Sequence, residues 1–261
     1  MSIKKIKKEA RQTLKGLPGK YQLFAVPILL YTLYIWVEGH GAYLYNRGLE
    51  LSPEADLFPI SILLFMTLFT LSATFIMLDV IRGKRQQATF SDTTLAFSRN
   101  YIGKLIAVFL LNTLFLFTLF LLASIGLLLL FAAASTGGGM SVGQISLAVI
   151  GLILFIGGAS CYINRLLAYA LVNHILYDTV NQQTYIGALS ALERSSALVK
   201  GYKGKLFLFH LSFLGWYLGT LLTFGLLSIY SLPYFVTAKA LFYDQLLQIR
   251  HKKEAQIASD A

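Results

Sequence analysis

LIAVFLLNTLFLFTLFLLASIGLLLLFAAA, from Leu105 to Ala134, is 30 residues long and carries no charge. As an α-helix it would be about 45 Å long, against roughly 30 Å of bilayer hydrocarbon. Such a run belongs in a membrane, and its helix must tilt or project. Four further stretches share its character. Tyr21–Val37 is uncharged and just long enough to cross. Leu57–Leu78 is a clear span. Val142–Asn164 is another, and its helical pattern runs on toward Tyr177. Leu206–Ala238 is 33 uncharged residues, too long for one crossing. Lys205 to Asp244, 40 residues, accommodates two helices with a turn around Gly225–Ser231, just before Pro233. The expectation is an all-α membrane protein with six transmembrane helices.

Composition agrees. Of 261 residues, 56% are hydrophobic and 13% charged, whereas soluble domains carry roughly 25% charged residues. Mean hydropathy is +0.66. The net charge of +10 would suggest nucleic acid in a soluble protein. Here the cations lie between apolar runs, so orientation and anionic headgroups explain them, and nucleic acid is not expected. Seven Lys or Arg fall before Tyr21, five in Arg82–Lys104, four in Arg194–Lys205 and three in Arg250–Lys253. The loop after the first span has only Arg47, against Glu38, Glu50, Glu54 and Asp56. Positive segments mark the cytoplasmic side. Six spans with both termini inside put all four there; five or seven would not. The first helix has bulky residues and no small-x-small cleavage site, so it reads as retained rather than as a signal peptide.

A short motif introduces the first, third and fifth spans. It reads Lys15-Gly16-Leu17-Pro18-Gly19-Lys20, Arg99-Asn100-Tyr101-Ile102-Gly103-Lys104 and Lys200-Gly201-Tyr202-Lys203-Gly204-Lys205. The pattern suggests three pseudo-repeated hairpins within one membrane domain. The units run over about 1–81, 82–178 and 179–247, followed by a basic tail, 248–261. Lys20, Lys104 and Lys205 should sit at the inner interface. Each unit closes alike, at Leu78-Asp79, Tyr177-Asp178 and Tyr243-Asp244, so either the opening Lys and closing Asp pair at the helix ends or the Asp stands solvated and unpaired. The lead-in segments are basic and amphipathic. Ile3, Ile6, Ala10 and Leu14 share a helical face opposite Lys4, Lys5, Lys8 and Arg11, and Ile186, Leu189, Leu192, Ala197 and Val199 recur similarly. Such helices suit the inner interface or a cap on the bundle.

No reaction signature is present: no HExxH, P-loop, GxSxG or nucleotide fingerprint. The four histidines, His40, His174, His210 and His251, have no ligand spacing, so neither metal nor cofactor is expected. Cys161 stands alone and reads as a small buried hydrophobe. Asn112 suits an interhelical hydrogen bond. Gly157-Gly158 permits a kink or a close helix approach. Arg165 is the most unusual residue. It shares a helical stripe with Tyr162, Tyr169, Asn173 and Tyr177, and it is either a costly intramembrane cation or the first residue beyond the membrane edge. Lys239 can snorkel inward, and His210 suits neutral packing. Arg165, His210 and Lys239, with Tyr169 and Asn173, make up a candidate contact set for an anionic lipid or solute.

Ala191-Leu192-Glu193-Arg194-Ser195-Ser196 leads into Lys200-Gly201-Tyr202-Lys203. Then come Leu206-Phe207, Leu211-Ser212-Phe213-Leu214-Gly215-Trp216, Thr223-Phe224-Gly225, Leu232-Pro233-Tyr234 and Phe242-Tyr243. This segment resembles the bacterial membrane family called domain of unknown function 975, common in Gram-positive bacteria, and the lead-in and hairpin pattern extends the resemblance over nearly the whole chain. The family often has Ile-Pro-Gly-Ile entering the fourth helix, where this chain has Ile156-Gly157-Gly158-Ala159. The resemblance implies a six-helix integral protein and carries no catalytic residue. The reading that follows is a non-enzymatic, accessory or envelope-related protein of the bacterial cytoplasmic membrane. It would bind anionic lipid, a membrane protein partner or a second copy of itself. A small-solute or lipid transporter is the alternative, and a lipid-modifying enzyme a distant third.

Overall fold

The computed structural model describes residues 2–49, 53–135 and 141–259. Ser52, Gly138 and the expected Thr136–Gly139 break lie outside them. The elements, in order, are α1 (Ile3–Lys15), α2 (Lys20–Asn46), α3 (Pro53–Ile81), a 3-10 helix (Phe90–Phe97), α4 (Ile102–Ala134) and α5 (Val142–Ala168). They continue with α6 (Val172–Asn181), α7 (Ala188–Val199), α8 (Lys203–Leu211), α9 (Leu214–Leu222) and α10 (Ser228–Ser259). No strand occurs among the described residues. Five helical segments are long and apolar enough to cross a membrane: Lys20–Asn46, Leu57–Ile81, Ile102–Ala134, Val142–Asn181 and Lys203–Leu222. α10 is not among them, since its tyrosines, Lys239 and Asp244 dilute its apolar character. The chain divides into two compact units, 1–103 with 207–261, and 104–206.

In the first unit α2 and α3 form a hairpin, and α10 packs against α1, α2 and α3. The turn before α2 requires glycine. Gly19 has φ +76°, and a Cβ there would lie 1.8 Å from the Ala88 carbonyl oxygen. The segment after α3 docks on this turn, the Ala88 N–H donating to the Pro18 carbonyl at 3.1 Å. The Ala96 N–H then donates to Ser72 Oγ on α3 (2.9 Å), and the Phe69 ring packs at a tilt against Phe97, 4.9 Å between centroids.

α9 and α10 are antiparallel and held by rings. Phe213 meets Tyr234 and Phe235 at 5.1 and 5.2 Å between centroids, and Trp216 meets Tyr230 at 5.1 Å. Nearer the turn, Thr220 and Ser231 hydroxyls share a buried hydrogen bond of 3.0 Å. The turn falls at Thr223–Leu227, two residues earlier than the expected Gly225–Ser231, whose last four residues already belong to α10, and Gly225 has φ +89° with Thr32 of α2 directly against it.

The amphipathic face of α1 is not left open to lipid. Ile6, Ala10 and Leu14 are buried, and the helix packs on α10. Lys7 Nζ donates to the Ser212 carbonyl at 2.6 Å, and Gln245 Nε2 donates to Glu9 at 2.8 Å. Burial, with Arg11 close by, lowers the Lys7 ammonium below its ordinary range. Among the carboxylates that close each unit, Asp79 and Asp244 pair with arginines. Arg82 donates to Asp244 at 3.0 Å, and Arg85 lies 3.8 Å from Asp79 and 2.7 Å from Asp92. Burial alone would raise the Asp92 carboxyl. The Thr89 N–H and hydroxyl, with Arg85, hold it below the usual carboxylate range.

In the second unit α4 and α5 lie antiparallel at backbone contact. A Cβ on Gly126 would fall 2.4 Å from the Phe155 nitrogen, one on Gly151 2.8 Å from the Gly126 oxygen, and one on Gly158 2.8 Å from the Ala123 nitrogen. Small residues let two membrane helices approach this closely. Gly157 has open space and the helix runs through it, so of the two options read from Gly157-Gly158 the structure takes close approach, at Gly158. Cys161 is exposed rather than buried, because α5 has little cover from Ser160 to Leu166. Asn112 Oδ1 is buried without a hydrogen-bond partner among the described residues.

Candidate functional site

The helix carrying Arg165 stops three residues later, where the sequence pattern ran on. No Gly or Pro causes the break. The Ser195 hydroxyl, from α7, donates to the Ala168 carbonyl at 2.7 Å, and the Val172 N–H turns to the Tyr169 carbonyl instead. A side chain inserted into the i to i−4 ladder is a recognised cause of such breaks. The break interrupts the expected stripe. Tyr169 is the capping residue, while Asn173 and Tyr177 lie on α6.

The break also makes a site. Arg165 now stands in the last turn of α5, where a cation complements the helix dipole. Its guanidinium donates to Tyr169 Oη at 3.3 Å and lies 5.9 Å from that ring. On one side is a cleft of about 470 Å³ lined by Tyr169, Glu193, Ser196, Lys200 and Lys203. On the other is an apolar slot of about 610 Å³ lined by Leu114, Phe115, Leu119 and Leu189. Arg165, Tyr169 and Glu193 border both. Lys203 Nζ is held by Asn164 Oδ1 at 2.6 Å, which aims a second cation at the cleft mouth. The arrangement pairs a charged recess with an apolar groove, and three cations face one carboxylate.

His210 and Lys239 belong to the other compact unit. His210 sits against the Phe209 and Phe235 rings, 5.6 Å from each, as a packing histidine would. Lys239 is half-buried on α10. Lys20, Lys104 and Lys205 each lie in the first turn of a helix: α2, α4 and α8. Each stands over a tyrosine, Tyr21, Tyr185 and Tyr202, at 5.1, 5.6 and 5.5 Å. Lys20 Nζ also donates to the Leu14 carbonyl at 2.9 Å, closing the end of α1. Among the described residues no three His, Cys, Asp or Glu side chains converge as metal ligands would.

Sequence reasoning singled out Arg165 and Tyr169 but missed Glu193, Lys200 and Lys203 as their neighbours. Those residues are 28 to 38 positions away and were read only as a lead-in. No curated protein and no solved structure matches this chain. The model of a protein family of unknown function, DUF975, matches residues 1–250, and the chain belongs to that family.

Proposed function

We propose that this is a non-enzymatic integral protein of the bacterial cytoplasmic membrane, with an accessory or envelope-related role, and that it holds anionic lipid on its cytoplasmic face. The carrying observation is the position of Arg165, shared between a cationic cleft and an apolar slot. A guanidinium can grip a phosphate with two donors, while the slot takes the first part of an acyl chain. In this reading three hairpins, α2–α3, α4–α5 and α8/α9–α10, each return the chain to the cytoplasmic side. Of 22 Lys and Arg, Arg165 and the 19 in the four basic segments then lie on that side. Each basic residue near an anionic leaflet contributes about 1 kcal/mol of attraction. The repeated motif supports the hairpin reading, since all three of its lysines open helices.

The test is retention of phosphatidylglycerol by the purified protein in native mass spectrometry. Arg165→Lys keeps the charge and loses the fork, and Arg165→Leu loses both. Retention should fall in both, and further in Leu. Equal retention in wild type and Arg165→Leu would remove Arg165 as a lipid contact.

A further inference from the structure

We infer that a second anionic-headgroup site lies in the first compact unit, in the groove where α1 ends, α2 begins and α10 starts. The inference rests on the lipid reading above and gives it a distinct location. The groove has a volume of about 270 Å³. Arg11, Lys15 and Lys20 line it together with Leu14, Tyr21, Ile229, Tyr230 and Pro233, and no carboxylate does.

Each cation is differently held. Arg11 is stacked over Tyr234, 5.1 Å from the ring centroid, which fixes the direction of its guanidinium. Lys20 is anchored through the Leu14 carbonyl and Tyr21. Lys15 is exposed and has no acceptor among the described residues. Two cations are therefore positioned by the fold, and the third, Lys15, is exposed at the groove's rim. The nearest acid on α1, Glu9, is occupied by Gln245 and Lys5. Nothing inside the groove neutralises it.

The remaining lining decides what kind of anion fits. Leu14, Ile229 and Pro233 make an apolar wall, and Tyr21 and Tyr230 are tyrosines of the type that settles at headgroup depth. A small free anion gains nothing from that wall. An amphiphile with a phosphate head uses both halves. The chemistry the groove recognises is a phosphate monoanion or diester, and the apolar wall favours a phospholipid as its source.

The experiment titrates the purified full-length protein in neutral detergent with short-chain phosphatidylglycerol, read by native mass spectrometry. Phosphatidylcholine and inorganic phosphate are run in parallel. Arg11→Gln with Lys15→Gln should weaken phosphatidylglycerol binding about tenfold. Lys252→Gln with Lys253→Gln removes the same charge from the exposed tail and should change it less than twofold. The loss should add to that of Arg165→Leu, the two sites being separate. Should the Arg11 change disturb folding through Tyr234, Lys15→Gln alone serves, with a loss of about threefold. Equal losses in the two double variants would overturn the site and leave the lipid reading standing as diffuse attraction. A wild type that binds phosphatidylcholine as well as phosphatidylglycerol would overturn both. Displacement of phosphatidylglycerol by inorganic phosphate at matching concentration would assign the groove to free phosphate instead.

Discussion

The α4–α5 hairpin closes on small residues, whereas α9 and α10 close on rings. In the first, Gly126, Gly151, Gly158 and Ala123 bring two backbones into contact along helices whose outward faces are mostly apolar. In the second, Phe213, Trp216, Tyr230 and Tyr234 interlock, and Thr220 with Ser231 adds a hydrogen bond. Lipid competes well with a leucine but cannot imitate a glycine groove. The long, mostly apolar pair therefore relies on shape. The pair flanked by Lys239 and Asp244, less apolar overall, relies on bulk. The same fold thus contains one contact that fails when something is added and one that fails when something is removed.

The largest effect is expected from removal. Phe213 is fully buried, with ring neighbours on several sides. Phe213→Ala should cost about 3 kcal/mol, through lost contacts and the cavity left behind. SDS-titrated unfolding of the purified protein measures this, and a cost below about 1 kcal/mol would break the ring account. The corresponding addition is Gly126→Ala in the other hairpin. Its new methyl meets backbone, which cannot rotate away, so a loss of about 2 kcal/mol is expected. Gly157→Ala is its internal control: the same chemical change in open space, where the better helix propensity of Ala gives a gain of up to about 1 kcal/mol. Identical signs for Gly126→Ala and Gly157→Ala in that assay would contradict the close approach. The smallest effect sharpens the picture of the ring pair. Thr220→Val removes one partner of a buried hydroxyl pair and should cost about 0.6 kcal/mol, the usual worth of a hydrogen bond between membrane helices. A loss above about 2 kcal/mol would mean that the hydroxyls, not the rings, hold α9 to α10.

How much of this was legible in sequence follows from the range of the forces involved. The apolar runs announced their own helices, because burying a chain in lipid demands local backbone satisfaction. Gly158 was read as permitting a kink or a close approach, and the second is what the fold uses. The end of α5 was not legible, since it depends on Ser195, 27 residues away in sequence. Nor were the partners of Asp79 and Asp244. The repeat offered the opening lysines or solvent, and arginines from the segment after α3 reach those carboxylates. The lead-in helices read as membrane-surface elements by their periodicity, which reports an apolar face without saying what covers it. At Arg165 the sequence supplied the cation and its tyrosine. The other residues of the cleft came from α7 and α8, an assembly that only the tertiary fold could provide.

The first compact unit is discontinuous: residues 1–103 are completed by 207–261, with the 103 residues of the second unit made in between. Its closing contacts, Arg82 with Asp244 and α1 on α10, join opposite ends of the chain. At ordinary synthesis rates α10, which begins 213 residues after α1 ends, emerges about 10–45 s later. During that interval α1 has Ile6, Ala10 and Leu14 uncovered beside its lysines, the makeup of a helix that rests on a bilayer surface. A helix of that makeup suits a bilayer surface, and in the fold the same face is covered by α10, the last helix of the chain.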